Sequence, residues 1–216
     1  MIKLYDYFRS SACFRVRIAL NLKGLDYECI PVHLTDHGGE QFLASYQAIN
    51  PHQLVPTLQD GDYILTQSLA IIEYLDEKYP GVSLLPTDTF QKSLTKSYAL
   101  SICADIHPLN NLRVLDYLKN KLTLDEKKKN QWYQHWIQQG LSALEKQLSS
   151  SPFVEEFCVG HFPTLADIFL VPQLYNARRF SCPLNEYPTL IKIDANCQKL
   201  SAFKEAFPVE VHTSLI

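Results

Sequence analysis

The chain has 216 residues, 46% of them hydrophobic and 20% charged, with a formal net charge of −3. That length fits one large domain or two small ones with a sizeable core. Basic residues number 20 against 23 acidic ones, which argues against nucleic acid as the main partner, and no apolar run is long enough to span a membrane. Six cysteines (Cys13, Cys29, Cys103, Cys158, Cys182 and Cys197) are widely spaced, with no C-x-x-C and no zinc-ligand cluster. The N-terminus carries Lys3, Asp6 and Arg9 and lacks the apolar core of a secretion signal. Free thiols in a reducing cytoplasm are therefore expected.

Residues 2–8 alternate at Lys3 to Tyr5 and then turn apolar, which predicts a short strand. Beyond it Val16 and Leu20, four apart, and Ala19 and Leu22, three apart, predict a helix, with the Ser10-Ser11 pair at its N-cap. Taken plainly, this is a capped helix. A helix start rich in hydroxyls and open N–H groups also suits an anion, a thiolate included. Residues 27–32 read as a second strand, 40–48 as a short helix, and 55–58 and 63–65 as two strands around an Asp60-Gly61-Asp62 hairpin turn. Leu69, Ile72, Leu75 and Tyr79 then predict a helix over 68–79 capped by Ser68. The order β-α-β-α-β-β-α is that of a thioredoxin-like α/β fold, and without C-x-x-C it is a fold used for binding.

Pro80-Gly81 ends this domain at residue 81, residues 82–89 read as a linker, and 90–216 read as an all-helical domain. Thr123-Leu124-Asp125-Glu126 has the form of a capping box, followed by Trp132, Trp136, Gly140, Leu144 and Leu148 at intervals of four. The run Lys127-Lys128-Lys129 reads as a solvated helix face. Thr164 and Asp167 form a second box, so Asp167 reads as structural rather than catalytic.

Phe8-Arg9-Ser10-Ser11 followed by Arg15-Val16-Arg17-Ile18-Ala19-Leu20 closely resembles the opening of zeta-class glutathione transferases. The resemblance extends over nearly the whole chain and is densest in the first 80 residues. It implies the glutathione transferase fold, glutathione as cofactor, and a homodimer; no metal is implied. Some members read Ser-Ser-Cys-Ser where this chain has Ser10-Ser11-Ala12-Cys13, so Cys13 lies one residue, about 100° of helix rotation, beyond the usual cysteine. The resemblance assigns glutathione contacts to Ser10, Ser11, Ala12, Cys13, Phe14 and Arg15. Gln41 matches a further family contact. Val55 precedes Pro56 as in the cis-proline turn of thioredoxin-like proteins, where its backbone serves the cysteinyl part. Gln67 and Ser68 suit the γ-glutamyl carboxylate and amine. In relatives the region of His107, Asn111, Leu112 and Arg113 closes over the ligand, often with glutamine where this chain has His107. His107 and Asn111 share a helix face if Pro108 sits in its first turn.

The implied reaction is isomerisation of maleylacetoacetate to fumarylacetoacetate, a step of tyrosine and phenylalanine catabolism, by reversible thiolate addition. Ser10 would activate the sulfur, with Ser11 beside it. Arg9, Arg15 and Arg179 would hold substrate carboxylates and the negative charge that develops on the enolate oxygen, and for Arg179 a guanidinium suits a dicarboxylate because its fork binds two oxygens at once. Two alternatives stand beside it: a transferase acting on α-halo acids or other small electrophiles, and a non-catalytic regulatory protein on the same scaffold. Retention of Ser10 and Ser11 counts against the second.

Overall fold

Strand β1, Ile2–Asp6, buries Ile2, Leu4 and Asp6 on one face, as its alternation requires. The computed structural model, which describes residues 1–209, places β1 at the centre of a four-stranded mixed sheet in the order β2-β1-β3-β4. Helix α1, Ser11–Leu22, connects β1 to the parallel strand β2, Tyr27–Pro31. Antiparallel β3, Thr57–Asp60, turns through Gly61-Asp62 into β4, Tyr63–Thr66, and α3, Ser68–Lys78, follows. The expected helix over 40–48 is two pieces, a 3-10 turn at Glu40–Phe42 and the short α2, Ala44–Gln47, because Leu43 between them is extended. The thioredoxin-like order is thus present.

The chain divides into two compact units, the first holding residues 1–83 and the described residues from Leu200 on, the second 84–199. This differs from the expected boundaries at both ends. Leu84, placed in the linker, is fully buried, and its carbonyl accepts the Leu165 N–H at 2.8 Å. At the other end, α9, Ser201–Glu205, packs on α1 instead of joining the helical domain. Asn21 Nδ2 donates to Ala202 O at 3.0 Å, and the Phe14 and Phe207 rings meet edge to face at 6.0 Å.

The second unit is helical: α4, Thr89–Leu100; α5, Leu112–Asn120; α6, Glu126–Ser149; α7, Leu165–Arg179; and α8, Pro188–Cys197. Helix α4 runs on through a π-helical stretch, Ser101–Ile106, and a 3-10 turn, His107–Asn110. Gly140 in α6 makes room for it, since a Cβ there would lie 2.3 Å from Ile106 Cδ1. The cap of α6 is Asp125, whose carboxylate accepts the Lys128 N–H at 2.7 Å. Thr123 is not the cap: its φ is +54°, and its hydroxyl donates to Leu122 O. The Thr164 box is as expected, with the Thr164 N–H and hydroxyl donating to Asp167 Oδ2 at 2.7 and 2.9 Å and the Cys158 N–H to Oδ1 at 2.8 Å. Asp167 is a structural residue. Among the described residues no helix is long and apolar enough to cross a membrane.

Asp60, at the end of β3, ties the hairpin to the last turn of α3: its Oδ2 accepts Tyr74 Oη at 2.9 Å, Lys78 Nζ at 2.7 Å and Tyr79 Oη at 2.6 Å. Burial alone would raise this carboxyl, but the bond from Lys78, with those of Tyr79 and Tyr74, holds it at about 2. A carboxyl depressed in the folded state contributes stability above its unfolded pKa of about 3.9 and loses it as pH falls through the folded value. Asp60→Asn is expected to cost roughly 1–3 kcal/mol at neutral pH. In urea denaturation the gap from wild type should be full above about pH 4 and close as pH falls toward the folded pKa.

Candidate active site

Ser10 is the N-cap of α1: its Oγ accepts the Cys13 N–H at 3.3 Å, and its own N–H donates to Tyr7 O at 2.8 Å. A hydroxyl that caps with a lone pair keeps its hydrogen for a second partner. The first turn of α1 carries no acidic side chain, so the positive end of the helix is open to an anion. Ser11 follows, almost fully buried, and Ala12 is half-buried. Cys13 and Phe14 correct the expectation drawn from their neighbours: both side chains are fully buried, so a ligand meets only their backbone. Cys13 Sγ accepts the Tyr7 N–H at 3.5 Å, and burial, with the Asp6 charge behind it, pushes the thiol well up. It is not a nucleophile.

Arg15 is also corrected. It is 1% exposed and donates from Nη1 to Ser68 Oγ at 3.3 Å. Inaccessible to a substrate carboxylate, it instead joins the start of α1 to the start of α3. Ser68 is the first helical residue rather than the cap; the cap position is Gln67, whose φ of +71° presents its exposed side chain beside the helix start. Gln41 is buried beneath Gly39, where a Cβ would lie 2.7 Å from the Gln41 amide. Its Nε2 donates to Leu34 O at 3.2 Å, while its Oε1 has no hydrogen-bond partner among the described residues. The Val55–Pro56 bond is cis. Two residues absent from the sequence reading hold that turn. Tyr46 Oη and Asn50 Nδ2 each donate to Leu54 O at 2.7 Å, and each lies 3.0 Å from Thr57 Oγ1. Nothing local in the sequence marks the Asn50 amide as a brace.

A second pair missed in the sequence stands behind Ser10. Arg17 Nη1 meets Asp6 Oδ1 at 2.5 Å, with both side chains under 10% exposed. The same guanidinium donates to Phe8 O at 3.1 Å and Ala206 O at 3.0 Å. It thereby fixes the loop from β1 to α1 that carries exposed Arg9, whose guanidinium lies over the Phe8 ring.

In the second unit, His107 and Asn111 are not on one α-helix, because the 3-10 turn ends at Asn110 and Asn111 caps α5, accepting the Arg113 N–H at 3.2 Å. They still meet, Asn111 Nδ2 lying 3.4 Å from His107 Nε2. Leu112 opens α5, and Arg113 projects into solvent. Helix α6 joins this segment to the end of α7. Trp132 Nε1 donates to Leu109 O at 2.8 Å, Asn110 Nδ2 to Tyr133 O at 3.4 Å, and Gln134 Nε2 to Phe180 O at 2.8 Å. Of the adjacent arginines, Arg178 is paired with Asp194 at 2.6 Å, while exposed Arg179 lies over the Phe180 ring at 5.4 Å and forms no ion pair among the described residues. Of these two neighbours, Arg179 is the one whose charge is not engaged by a carboxylate among the described residues.

Residues 4–83 match the family described as Glutathione S-transferase, N-terminal domain. The chain is 51% identical to a probable maleylacetoacetate isomerase of Vibrio cholerae over 95% of this chain and 94% of the relative. A holo structure of maleyl pyruvate isomerase, a bacterial zeta-class glutathione S-transferase, superposes with a TM-score of 0.94 at 43% identity, covering 98% of this chain and 99% of that one. A maleylacetoacetate isomerase of Methylobacterium extorquens with bound malonate and glutathione superposes at 0.92 with 37% identity, covering 95% and 96%.

Arg17→Met leaves the Asp6 carboxylate buried without its cation, and such half-pairs cost roughly 3–5 kcal/mol. Urea denaturation should show that loss, while the double variant Asp6→Asn/Arg17→Met should lose less than the sum of the two single changes.

Proposed function

The chain belongs to the zeta-class glutathione transferases, and we propose that it is a glutathione-dependent cis–trans isomerase that converts maleylacetoacetate to fumarylacetoacetate. The observation that carries the reading is the Ser10 hydroxyl, which caps α1 through its oxygen and retains a hydrogen to donate at an open helix start. The first unit fits glutathione on its own terms. The buried Gln41 Oε1 lacks a donor among the described residues, as it would where a ligand N–H is to arrive. Ser68 and Gln67 stand at the start of α3 to take the γ-glutamyl carboxylate and amine, and the Val55 backbone takes the cysteinyl part. When bound, glutathione supplies a thiolate whose reversible addition β to a carbonyl makes the double bond a rotatable single bond and returns the thiol.

The chain's own residues have three tasks. Ser10 donates its hydrogen to the sulfur and, with the dipole of α1 and the neighbouring Ser11, holds it ionised near neutral pH, below the ordinary thiol pKa of about 8.5. Arg15 positions Ser68. Arg179 binds a substrate carboxylate and steadies the negative charge that develops on the substrate oxygen, with Arg9 as a second exposed cation. We assign His107, Asn111, Leu112 and Arg113 to ligand contacts of the helical unit. A cytoplasmic location accords with six free cysteines, and assembly as a homodimer follows the family.

Ser10→Ala is expected to lower kcat by about 10²-fold, far more than the loss of its cap, worth roughly 1 kcal/mol and a few degrees in melting temperature, would explain in an assay well below the unfolding transition. The assay supplies maleylacetoacetate with catalytic glutathione and follows both the trans product and the remaining thiol. Conserved thiol supports isomerisation; one thiol lost per turnover would make the protein a conjugating transferase. Arg179→Ala should raise KM for the dicarboxylate roughly tenfold or more, and Arg179→Lys should recover little of it, because the fork is lost.

A further inference from the structure

The stretch Tyr7–Arg9 between the end of β1 and the Ser10 cap is short, and contacts at its backbone tie it down. The Tyr7 N–H donates to Cys13 Sγ at 3.5 Å and the Ser10 N–H to Tyr7 O at 2.8 Å. A third contact reaches in from the helix interior, where Arg17 Nη2 donates to Phe8 O at 3.1 Å. Arg17 lies seven residues beyond Ser10, and so on the same face of α1 about two turns away. Its guanidinium is itself held from three directions: by Asp6 Oδ1 at 2.5 Å, by Ala206 O at 3.0 Å, and by the Phe14 ring beneath it at 5.6 Å. Phe14 in turn meets the Phe207 ring. One planar group thus joins the C-terminal segment to the carbonyl two residues before Ser10. Asp6 neutralises its charge at short range, so what the fork passes on is position rather than field.

We propose that Arg17 is a positioning residue of the thiol site: by tying Phe8 O to the C-terminal segment it sets where the Ser10 hydroxyl stands at the start of α1, and with that how far a bound glutathione thiol ionises. The proposal rests on the reading of Ser10 as the donor to the sulfur. A hydrogen bond weakens steeply as its angle falls away from linear. A loop released from Arg17 therefore loses thiolate stabilisation without losing the hydroxyl. Lysine cannot take over this role, because its single ammonium lacks the planar fork that spans two carbonyls and a carboxylate.

The test reads the thiol pKa of bound glutathione from its ultraviolet thiolate absorbance across a pH series, at a temperature well below unfolding. Arg17→Lys keeps a cation beside Asp6 and removes the fork. The expected result is a thiol pKa higher by about one unit, roughly tenfold less thiolate near neutral pH, and a matching fall in kcat. KM for the dicarboxylate should stay as in wild type, since Arg179 is untouched. A merely structural Arg17 would lower the melting temperature and leave the thiol pKa in place, and that outcome in folded Arg17→Lys would overturn the inference. If Arg17→Lys does not fold, Phe207→Ala decides, because it keeps the ion pair and loosens the segment that bears the Ala206 carbonyl. A smaller rise in thiol pKa there supports the inference, and an unchanged value overturns it. A wild type whose bound thiol keeps an ordinary pKa of about 8.5 would remove Arg17 and Ser10 together. One that ionises the thiol but forms no trans product would sink the isomerase reading and leave the role of Arg17 standing.

Discussion

The first unit depends on the buried pairing of Asp6 with Arg17. Taking both charges out of water costs several kcal/mol per ion, and the cost is offset only when every remaining donor and acceptor is occupied. Here the guanidinium also holds the carbonyls of Phe8 and Ala206, and Cys29 Sγ approaches the second carboxylate oxygen at 3.7 Å. An apolar pair would fill the space at lower desolvation cost. What the ion pair adds is direction: the end of β1, the loop after it, α1 and the C-terminal segment meet at one planar group whose geometry admits a single arrangement. Ser10 stands in the loop so fixed, its oxygen held at the cap of α1.

The same economy runs through the site. Small, buried polar groups hold backbone carbonyls in place. Tyr46 and Asn50 hold the carbonyl of Leu54 on one side of the cis turn and the Thr57 hydroxyl on the other, so the Val55 backbone is presented by a braced loop. In the helical unit, Asp194 neutralises Arg178, while the adjacent Arg179 meets no carboxylate among the described residues. Preorganisation of this kind lowers the ordering cost of binding and keeps donors where charge develops.

Much of this was legible in the sequence, and the illegible part has a common cause. The strand and helix order of the first 80 residues follows from local period and turn chemistry, as do the hairpin at Gly61-Asp62, the Thr164–Asp167 box and the Ser10 cap. Failures came where a distant partner claims a residue that looks locally committed. Ser68 has the form of a cap, but Arg15 engages its hydroxyl and Gln67 takes the cap position in a left-handed conformation. Arg15 has the form of a substrate-binding cation until its burial is known. Thr123 yields the cap of α6 to Asp125, two residues on in the same acidic stretch. Tyr133, which no motif marks, stacks on Phe180, 47 positions away. No periodicity encodes such pairings.

The return of α9 to α1 means that the first unit is discontinuous in the chain. A ribosome that has released residues 1–83 has made the sheet and α1, but not the Ala206 carbonyl that completes the Arg17 environment or the Phe207 ring that meets Phe14. The glutathione-binding half can therefore be drafted early in synthesis and finished only after the entire helical unit has emerged. An internal stop anywhere between the two segments leaves a half-solvated guanidinium beside a buried carboxylate, so a truncated chain carries its own destabilising mark for cellular quality control.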